Sequence, residues 1–322
     1  MTGSRSVSIS VVVPSVGRPL SLVRTLDGVA AQTVRPSEVI VVARGDDLHT
    51  EAAAEENGAR VVIVDRPGAV QAVQRGVLAA SSDVVAVIGD DAVPAPDWVH
   101  RIQCAYEADE DLGALGGRDN IDADSASGSV STQVGLLTRG KVVGNHHLGK
   151  GEMRPAAHLK GANLSVLRRA ASSVPLSEMV AGTGAQIRWE FVLSLAISAQ
   201  GYNIAYDPRL QVDHFPAARP AGDGRAAWAA DRSRVLRYNE SVAIFRYVGA
   251  SDQIWYACRT VLMGDARAPG LLLARALWVL RRDHGAWSRL ISGLAGLWAG
   301  SRAGLARRSV DRRAVQGPGG ST

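Results

Sequence analysis

A short apolar segment that ends in two adjacent aspartates constrains the fold of this chain more than any other stretch. Val84–Ile88 contains five apolar residues in succession, and Asp90 and Asp91 come just after it, with Pro94 and Pro96 beyond. A run of this kind is typical of a strand buried on both faces, as in a parallel sheet. Proline cannot donate to a strand ladder, so the strand ends before it. We therefore expect both carboxylates at the carboxyl end of a central strand, where open α/β sheets bind ligands.

The two carboxylates need a neutralising partner if they are buried. Adjacent carboxylates repel each other and lose hydration energy on burial. A divalent cation such as Mg²⁺ or Mn²⁺ would offset both effects, and these ions usually bind together with a phosphate group. The alternative is that Asp90 and Asp91 cap the helix that follows, since aspartate is common at that position.

Strand and helix patterns alternate through the first quarter of the chain. The sequence predicts strands at 7–13, 38–43, 60–64 and 84–88, with helices at 20–32, 50–57 and 68–79. This alternation indicates βαβ units and a mostly parallel sheet. The turn after the first strand, SVGRP, has a single glycine, so it matches neither the dinucleotide-binding fingerprint nor a P-loop.

The middle of the chain has a weaker pattern. Residues 113–159 are rich in Gly, Ser and Asp, which predicts long loops with short strands such as Lys141–Val143. Beyond them we expect a strand at 164–167, a helix at 184–200 and two short strands at 204–206 and 211–214.

The last hundred residues differ in charge from the rest. Residues 225–322 hold 16 of the 36 basic side chains, all of them arginine, but only 6 of the 31 acidic ones. Helices are predicted at 225–245, 254–263, 270–282 and 287–305, followed by a disordered tail from about residue 310. We therefore divide the chain into a domain at 1–224 and a basic helical region at 225–322. Arginines and tryptophans around a leucine stripe favour contact of residues 270–308 with a membrane surface. The alternative is a helix pair packed on the first domain or on a second subunit, and we expect no nucleic-acid partner.

The cysteines and the N-terminus indicate in which cellular compartment the protein is expected. Cys104 and Cys258 match no metal-ligand spacing, and we interpret both as buried thiols in a reducing compartment. The N-terminus lacks the pattern of a signal peptide, and no apolar stretch is long enough to span a membrane. We expect a cytoplasmic protein, either free or held peripherally at the inner face of the membrane.

Five segments, taken in order, resemble family 2 glycosyltransferases, the inverting GT-A enzymes that use nucleotide-diphospho-sugars. They are VVVPSVGRPLSLVRTLDGVAAQT (11–33), EVIVV (38–42), GDDAVPAPDWV (89–99), KGANLSVLRR (160–169) and the segment from Trp189 to His214. The resemblance implies a GT-A fold: a mostly parallel mixed sheet with helices on both faces, here followed by a helical C-terminal appendage. It implies transfer of a sugar from a UDP-, GDP- or dTDP-linked donor to a hydroxyl of a glycan, a lipid-linked acceptor or a small molecule, aided by Mg²⁺ or Mn²⁺.

The resemblance also assigns roles to residues. It implies donor binding by Pro14, Ser15, Gly17, Arg18, Arg44, Arg66, Gln71, Arg75, Asp90 and Asp91. It implies metal binding by Asp91 and His214, contact with the acceptor or the sugar by Lys160, Gly161, Asn163 and Trp189, and a general base at Glu190. Trp189 could equally be a core aromatic residue, and His214 a hydrogen-bonded histidine at a strand end.

Three departures from the family pattern leave the nucleotide and the metal requirement open. Ala43 stands where an acid usually ends the second strand, Gly89 replaces the first acid of the DxD motif, and Glu190 follows a tryptophan rather than an acid. Two other functions therefore stay in view. One is a nucleotidyltransferase, and the other is a non-catalytic nucleotide-sugar-binding protein of the same fold.

Overall fold

The structure, a computed structural model, describes residues 6–66, 68–121, 130–215 and 230–316, with only the backbone described for 309–316. The predicted domain boundary at residue 224 and the end of the predicted tail, 317–322, lie outside these residues.

The described strands form a nine-stranded mixed sheet and a separate hairpin. They are β1 (Ile9–Pro14), β2 (Glu38–Arg44), β3 (Arg60–Val64), β4 (Val84–Ile88), β5 (Ala92–Pro94), β6 (Leu112–Asn120), β7 (Leu136–Thr138), β8 (Lys141–Val143), β9 (Arg154–Pro155), β10 (Asn163–Leu167) and β11 (Asn203–His214). The order in the sheet is β3-β2-β1-β4-β10-β6-β11-β5, with β9 paired to β11, whereas β7 and β8 form the hairpin. Strands β1, β2, β3, β4, β6 and β11 run in one direction and the other three run against them. The prediction of a mostly parallel mixed sheet is confirmed.

Helices cover both faces of this sheet. They are α1 (Pro19–Ala30), α2 (Leu48–Glu56), α3 (Ala69–Ala79), α4 (Trp98–Ala108), α5 (Arg168–Ser172), α6 (Leu176–Met179) and α7 (Trp189–Ser198). Val11 and Val13 of β1 belong to the core that contains Leu26 of α1, whereas Val12 belongs to the core that contains Val73 of α3. Successive strand residues point to opposite faces, so a strand covered on both sides is apolar throughout.

The sequence prediction was wrong for strand β6, which we expected to be loop from residue 113. Its glycines are required by tight packing, not by turns. A side chain at Gly113 would collide with Tyr202, and one at Gly117 would collide with the carbonyl oxygen of Leu210 on β11. The two short strands predicted at 204–206 and 211–214 are one strand, β11, with an irregularity between Asp207 and Gln211.

Four helices complete the described chain: α8 (Ala230–Tyr247), α9 (Ala250–Leu262), α10 (Leu271–Arg281) and α11 (Ala286–Gln316). Helix α8 is part of the core beneath the sheet, because Val242 and Ile244 share a cluster with Phe191 of α7. Helix α11 packs along α8 and continues past residue 310, where the predicted tail begins. Among the described helices, none has an apolar stretch long enough to cross a bilayer.

Both cysteines are exposed, so the prediction of buried thiols was wrong. Cys104 lies on the outer side of α4, where its sulfur contacts the ring of His100 at 3.7 Å. Cys258 lies on the outer side of α9. A small apolar residue is not confined to the core, and neither position carries a sequence signal that distinguishes the two faces of its helix.

Candidate active site

Asp91 and His214 meet at the carboxyl end of β4. Strand β5 begins directly after Asp91 and pairs antiparallel with the end of β11, with Ala92 opposite His214. This register places Nε2 of His214 at 3.3 Å from Oδ1 of Asp91. Nη1 of Arg18 lies 3.2 Å from the other oxygen of the same carboxylate. The strand pairing therefore assembles the acid and the imidazole that the sequence predicted as metal ligands.

Asp90 points inward and holds the loop after β1. Its carboxylate accepts a hydrogen bond from the hydroxyl of Ser15 at 2.8 Å and pairs with Nη2 of Arg18 at 2.6 Å. Burial raises the pKa of Asp90 to about 6, although Arg18 and Ser15 act in the opposite direction. The structure thus places Asp90 beneath the site, where it orients two of the predicted donor-binding residues.

The same loop is fixed from its other side. Pro14 ends β1, and the backbone N–H of Ser15 donates to the carbonyl of Val42 at 3.0 Å. Gly17 has φ +65°, a conformation that favours glycine, and its N–H donates to the carboxylate of Asp47. Asp47 also caps helix α2. The family's acid at the end of β2 is replaced by Ala43 here, but Asp47, four residues further on, contacts the loop after β1.

Asp119 is a site residue that the sequence analysis missed. It lies near the end of β6, is buried, and its Oδ2 pairs with the ammonium of Lys160 and lies 3.6 Å from Nδ1 of His214. Burial tends to raise the pKa of Asp119, but His214 and Lys160 outweigh it and lower the pKa. A strand at 112–120 would have revealed this acid at the edge of the sheet that carries Asp91. The glycine content concealed that strand.

Glu190 lies in the first turn of α7. Burial raises the pKa of its carboxyl group, and the charges of Arg188 and Lys160 only partly oppose that effect. Lys160 therefore pairs with Asp119, and its charge also acts on Glu190. Side-chain contacts thus run in series from Asp91 through His214 and Asp119 to Lys160.

Three of the residues predicted to contact the sugar or the acceptor, Gly161, Asn163 and Trp189, are packed against other parts of the fold. Trp189 is buried, and its indole packs so closely on Gly161 that a side chain there would collide with the ring. Asn163 is also buried: its Oδ1 accepts from the indole N–H of Trp98 at 2.9 Å, and its Nδ2 donates to the carbonyl of Leu210 at 2.9 Å. Both side chains are held by contacts within the fold, as the alternative of a core aromatic residue at Trp189 expects, and their contact with a sugar or acceptor stays a prediction.

The remaining predicted donor residues lie at the ends of β2 and β3 and on α3. Arg44 pairs with Asp46 at the surface, and Arg66 is exposed just after β3. Gln71 and Arg75 lie one turn apart on α3, half-buried and exposed respectively. Their contact with a nucleotide stays a prediction.

Helix α8 holds the loop before α7 through side-chain hydrogen bonds, and no sequence motif predicted these contacts. Arg188 has φ 72°, and its Nε donates to Oε1 of Glu240 at 2.9 Å. The amide of Asn239 donates to the carbonyl of Ile187 at 2.8 Å and accepts from the N–H of Ala181 at 2.8 Å. Helix α8 therefore fixes the segment that carries Glu190.

The residues around Asp91 fit a divalent ion that arrives with its substrate. In the part of the chain that the structure describes, no cluster of three or more His, Cys, Asp or Glu side chains is placed to hold a metal. Asp91 and His214 would supply two ligands, and Oδ1 of Asp119 and Nδ1 of His214 lack a hydrogen-bond partner among the described residues. Two protein ligands suffice when phosphate oxygens and water complete the coordination of Mg²⁺.

Comparison with known proteins decides the family. Residues 10–172, just over half of the chain, match the family model described as glycosyl transferase family 2. The chain belongs to glycosyl transferase family 2. The matched region contains Arg18, Asp91, Asp119 and Lys160, whereas Glu190 and His214 lie beyond it.

Relatives of this family 2 chain include one from an archaeon. The glucosyl-dolichyl phosphate glucuronosyltransferase of Haloferax volcanii is 31% identical over 116 residues, which cover 34% of this chain and 37% of that protein. The match therefore spans little more than a third of that relative.

Two solved structures share the fold. GalNAc-T7, crystallised with UDP, GalNAc and Mn²⁺, aligns with a TM-score of 0.57 and 16% identity, over 87% of this chain and 55% of that one. Glucosyl-3-phosphoglycerate synthase of Mycobacterium tuberculosis, crystallised with Mg²⁺ and UDP, aligns with a TM-score of 0.51 and 20% identity, over 74% and 79%. These likenesses confirm the predicted GT-A fold.

Proposed function

We propose that this chain transfers a sugar from a nucleotide-diphospho-sugar to a hydroxyl group of an acceptor, with inversion at the anomeric carbon. The observation that supports this most strongly is the series of contacts from Asp91 through His214 and Asp119 to Lys160, whose charge acts on Glu190. The series begins at an acid suited to a metal-bound diphosphate, and Glu190 at its other end is suited to act as a general base. Membership of family 2 agrees with this reading.

Glu190 is the proposed general base. A carboxylate accepts a proton from an alcohol more readily when its pKa is raised, and burial has this effect here. The base takes the hydroxyl proton as the acceptor oxygen attacks the anomeric carbon on the face opposite the diphosphate. The charge of Lys160 partly opposes this rise in pKa and so favours the ionised carboxylate that accepts the proton.

The departing diphosphate requires positive charge. Arg18 lies beside Asp91 at the donor end of the site. Asp91 and His214 would hold Mg²⁺ or Mn²⁺, which when bound supplies electrostatic stabilisation of the leaving diphosphate. Asp119 keeps His214 in place from the side away from Asp91.

The donor is proposed to be UDP-, GDP- or dTDP-linked. The structural relatives carry UDP, which makes a uridine nucleotide the first to test. The acceptor is a hydroxyl group of a glycan, a lipid-linked saccharide or a small molecule.

We also propose that the protein works peripherally at a membrane, with residues 270–308 in contact with the lipid surface.

A nucleotide-sugar screen tests the proposed reaction. Thermal shifts of the full chain are measured with UDP-, GDP- and dTDP-sugars in the presence of Mn²⁺ and again with EDTA. The donor that stabilises the protein is then incubated with an acceptor panel, and the products are identified. Release of a nucleoside diphosphate is expected. Release of pyrophosphate would indicate a nucleotidyltransferase, and binding without turnover or hydrolysis would indicate a non-catalytic protein.

A further inference from the structure

Helix α11 has one face that is fixed against α8. Gly296, Gly300 and Gly304 lie along this face, and a Cβ atom at Gly300 would lie 2.5 Å from the carbonyl oxygen of Tyr238. The equivalent atoms at Gly296 and Gly304 would meet the carbonyl oxygens of Arg234 and Val242. Because these glycines allow the two helices to approach closely, they fix which side of α11 points away from α8.

The side of α11 that points away is apolar and exposed. Trp287, Ile291, Trp298 and Leu305 are separated by four and then seven residues, so they line one side of the helix. Their exposed fractions are 39%, 67%, 65% and 47%. This stripe lies on the side roughly opposite the glycines, and we call it the outer stripe of α11.

Helix α10 presents a similar face. Ala274 and Leu277 are buried in a small cluster with Ala286 and Leu290 of α11. The rest of the helix exposes five apolar residues around one arginine. They are Leu271, Leu272, Trp278, Val279 and Leu280, with Arg275 among them.

Helix α9 adds a third exposed face, which lies outside the segment predicted from the sequence. It buries Gln253, Tyr256 and Thr260 and exposes Ile254, Trp255 and Leu262. A monomeric protein rarely exposes a large contiguous apolar patch, and such a patch usually marks an interaction site. Three neighbouring helices with this arrangement point to a partner.

The charge of these helices selects the kind of partner. Residues 270–308 contain seven arginines and one acidic residue, Asp283, which pairs with Arg289 at 2.6 Å. The guanidinium of Arg302 lies 5.5 Å from the centre of the Trp298 ring, so cationic and aromatic groups lie together on the outer stripe. A second copy of the chain would bring arginines against arginines, which is unfavourable.

We propose that the exposed faces of α9, α10 and α11 bind the surface of an anionic lipid bilayer. The apolar side chains enter the boundary between headgroups and acyl chains, the tryptophans lie at that level, and the arginines pair with lipid phosphates. This inference rests on the peripheral membrane contact proposed above, which it extends to α9 and to anionic lipids. It concerns a different surface from the proposed active site, so its test does not depend on sugar transfer.

Vesicle flotation of the full chain, without donor or acceptor, tests the inference. We expect binding to vesicles that contain phosphatidylglycerol at low salt, weak binding to phosphatidylcholine alone, and loss of binding at high salt. The double variant Ile291→Glu and Trp298→Glu should bind at least roughly tenfold more weakly, because it removes two apolar anchors and adds negative charge.

A matched control keeps the test specific. The double variant Leu48→Glu and Leu78→Glu changes two exposed leucines, 69% and 52% exposed, on α2 and α3. It should bind vesicles almost as well as the wild type, and circular dichroism should show both variants folded. The inference is overturned if the wild type does not float at low salt or if both variants lose binding equally. It is also overturned if the Ile291 and Trp298 variant instead abolishes a stable dimer of the chain.

Discussion

Nε of Arg188 lies 2.9 Å from Oε1 of Glu240, and this pair joins the loop before Glu190 to the buried side of α8. Glu240 also accepts hydrogen bonds from Nη1 of Arg237 at 2.7 Å and from the hydroxyl of Tyr256 at 3.1 Å. Burial tends to raise the pKa of Glu240, but Arg237 and Arg188 outweigh it and lower the pKa. The C-terminal helices therefore stabilise the position of the proposed base.

Glu240→Gln should destabilise the protein and slow turnover. It removes the counter-charge of Arg188 and one of the two acids that pair with Arg237, which keeps Asp265 at 2.9 Å. Breaking a buried ion pair typically costs about 3–5 kcal/mol. Urea unfolding should show this loss, and nucleotide binding by the folded fraction should persist while turnover falls. Glu178→Gln, on the exposed side of α6, is the control and should unfold like the wild type. Equal stability of Glu240→Gln and wild type would contradict the proposed role.

Asp119→Asn should weaken Mn²⁺ binding. The change removes the carboxylate behind His214, and loss of such an outer partner typically lowers metal affinity by roughly tenfold or more. Titration of Mn²⁺ in the presence of nucleotide, followed by electron paramagnetic resonance, measures this directly. As the control, Asp213→Asn alters an exposed acid on β11, the strand that carries His214, and should leave Mn²⁺ affinity unchanged. Wild-type affinity in Asp119→Asn would show that His214 does not need this carboxylate.

Gly300→Ala and Gly293→Ala should have opposite effects although both glycines are buried in α11. A Cβ at Gly300 would lie 2.5 Å from a carbonyl oxygen of α8, whereas at Gly293 its nearest neighbour would be 3.6 Å away. Separating two packed helices costs about 1–3 kcal/mol, whereas alanine in an open helical position gains up to about 1 kcal/mol over glycine. Thermal unfolding of the two variants measures both. Stabilisation by Gly300→Ala would contradict the close packing of α11 on α8.

Glu38 should contribute stability that depends on pH. Burial alone would raise its pKa, but hydrogen bonds from Ser81, Ser10 and Arg60 lower it to about 2. A lowered pKa in the folded state stabilises the protein above the unfolded value near 4.5, and this contribution is lost as the pH falls towards 2. Because water screens the partly exposed carboxylate, we expect about 1–2 kcal/mol.

Urea unfolding of wild type and Glu38→Gln at several pH values tests this expectation. The variant should be less stable at pH 7, and the difference should shrink between about pH 5 and pH 2. A difference that is constant across this range would mean that the charge of Glu38 does not stabilise the fold.

The donor side of the site was predictable because its signals are local. The apolar run of β4 and the acid that follows it fix the position of Asp91 within a few residues of sequence. Asp119 was not predictable in this way. The glycines of β6 are explained only by Tyr202 and Leu210, which lie far along the chain and pack against the strand.

Side-chain direction and distant pairing were also beyond the sequence. The motif around Asn163 gave its place in the chain, but its amide turns inward because Trp98 and Leu210 supply partners there. Arg188 and Glu240 are 52 residues apart, and nothing near either residue signals the pair. A motif thus locates backbone segments at a site, while tertiary packing determines which side chains face it.

The role of Glu190 as the general base is tested most directly by the rate of nucleoside diphosphate release from Glu190→Gln with saturating donor and acceptor. We expect the rate to fall by about 10²–10⁴-fold, the range of general base catalysis, while the affinity for donor and Mn²⁺ stays at the wild-type value. A rate close to that of the wild type would contradict the assignment of Glu190 as the base.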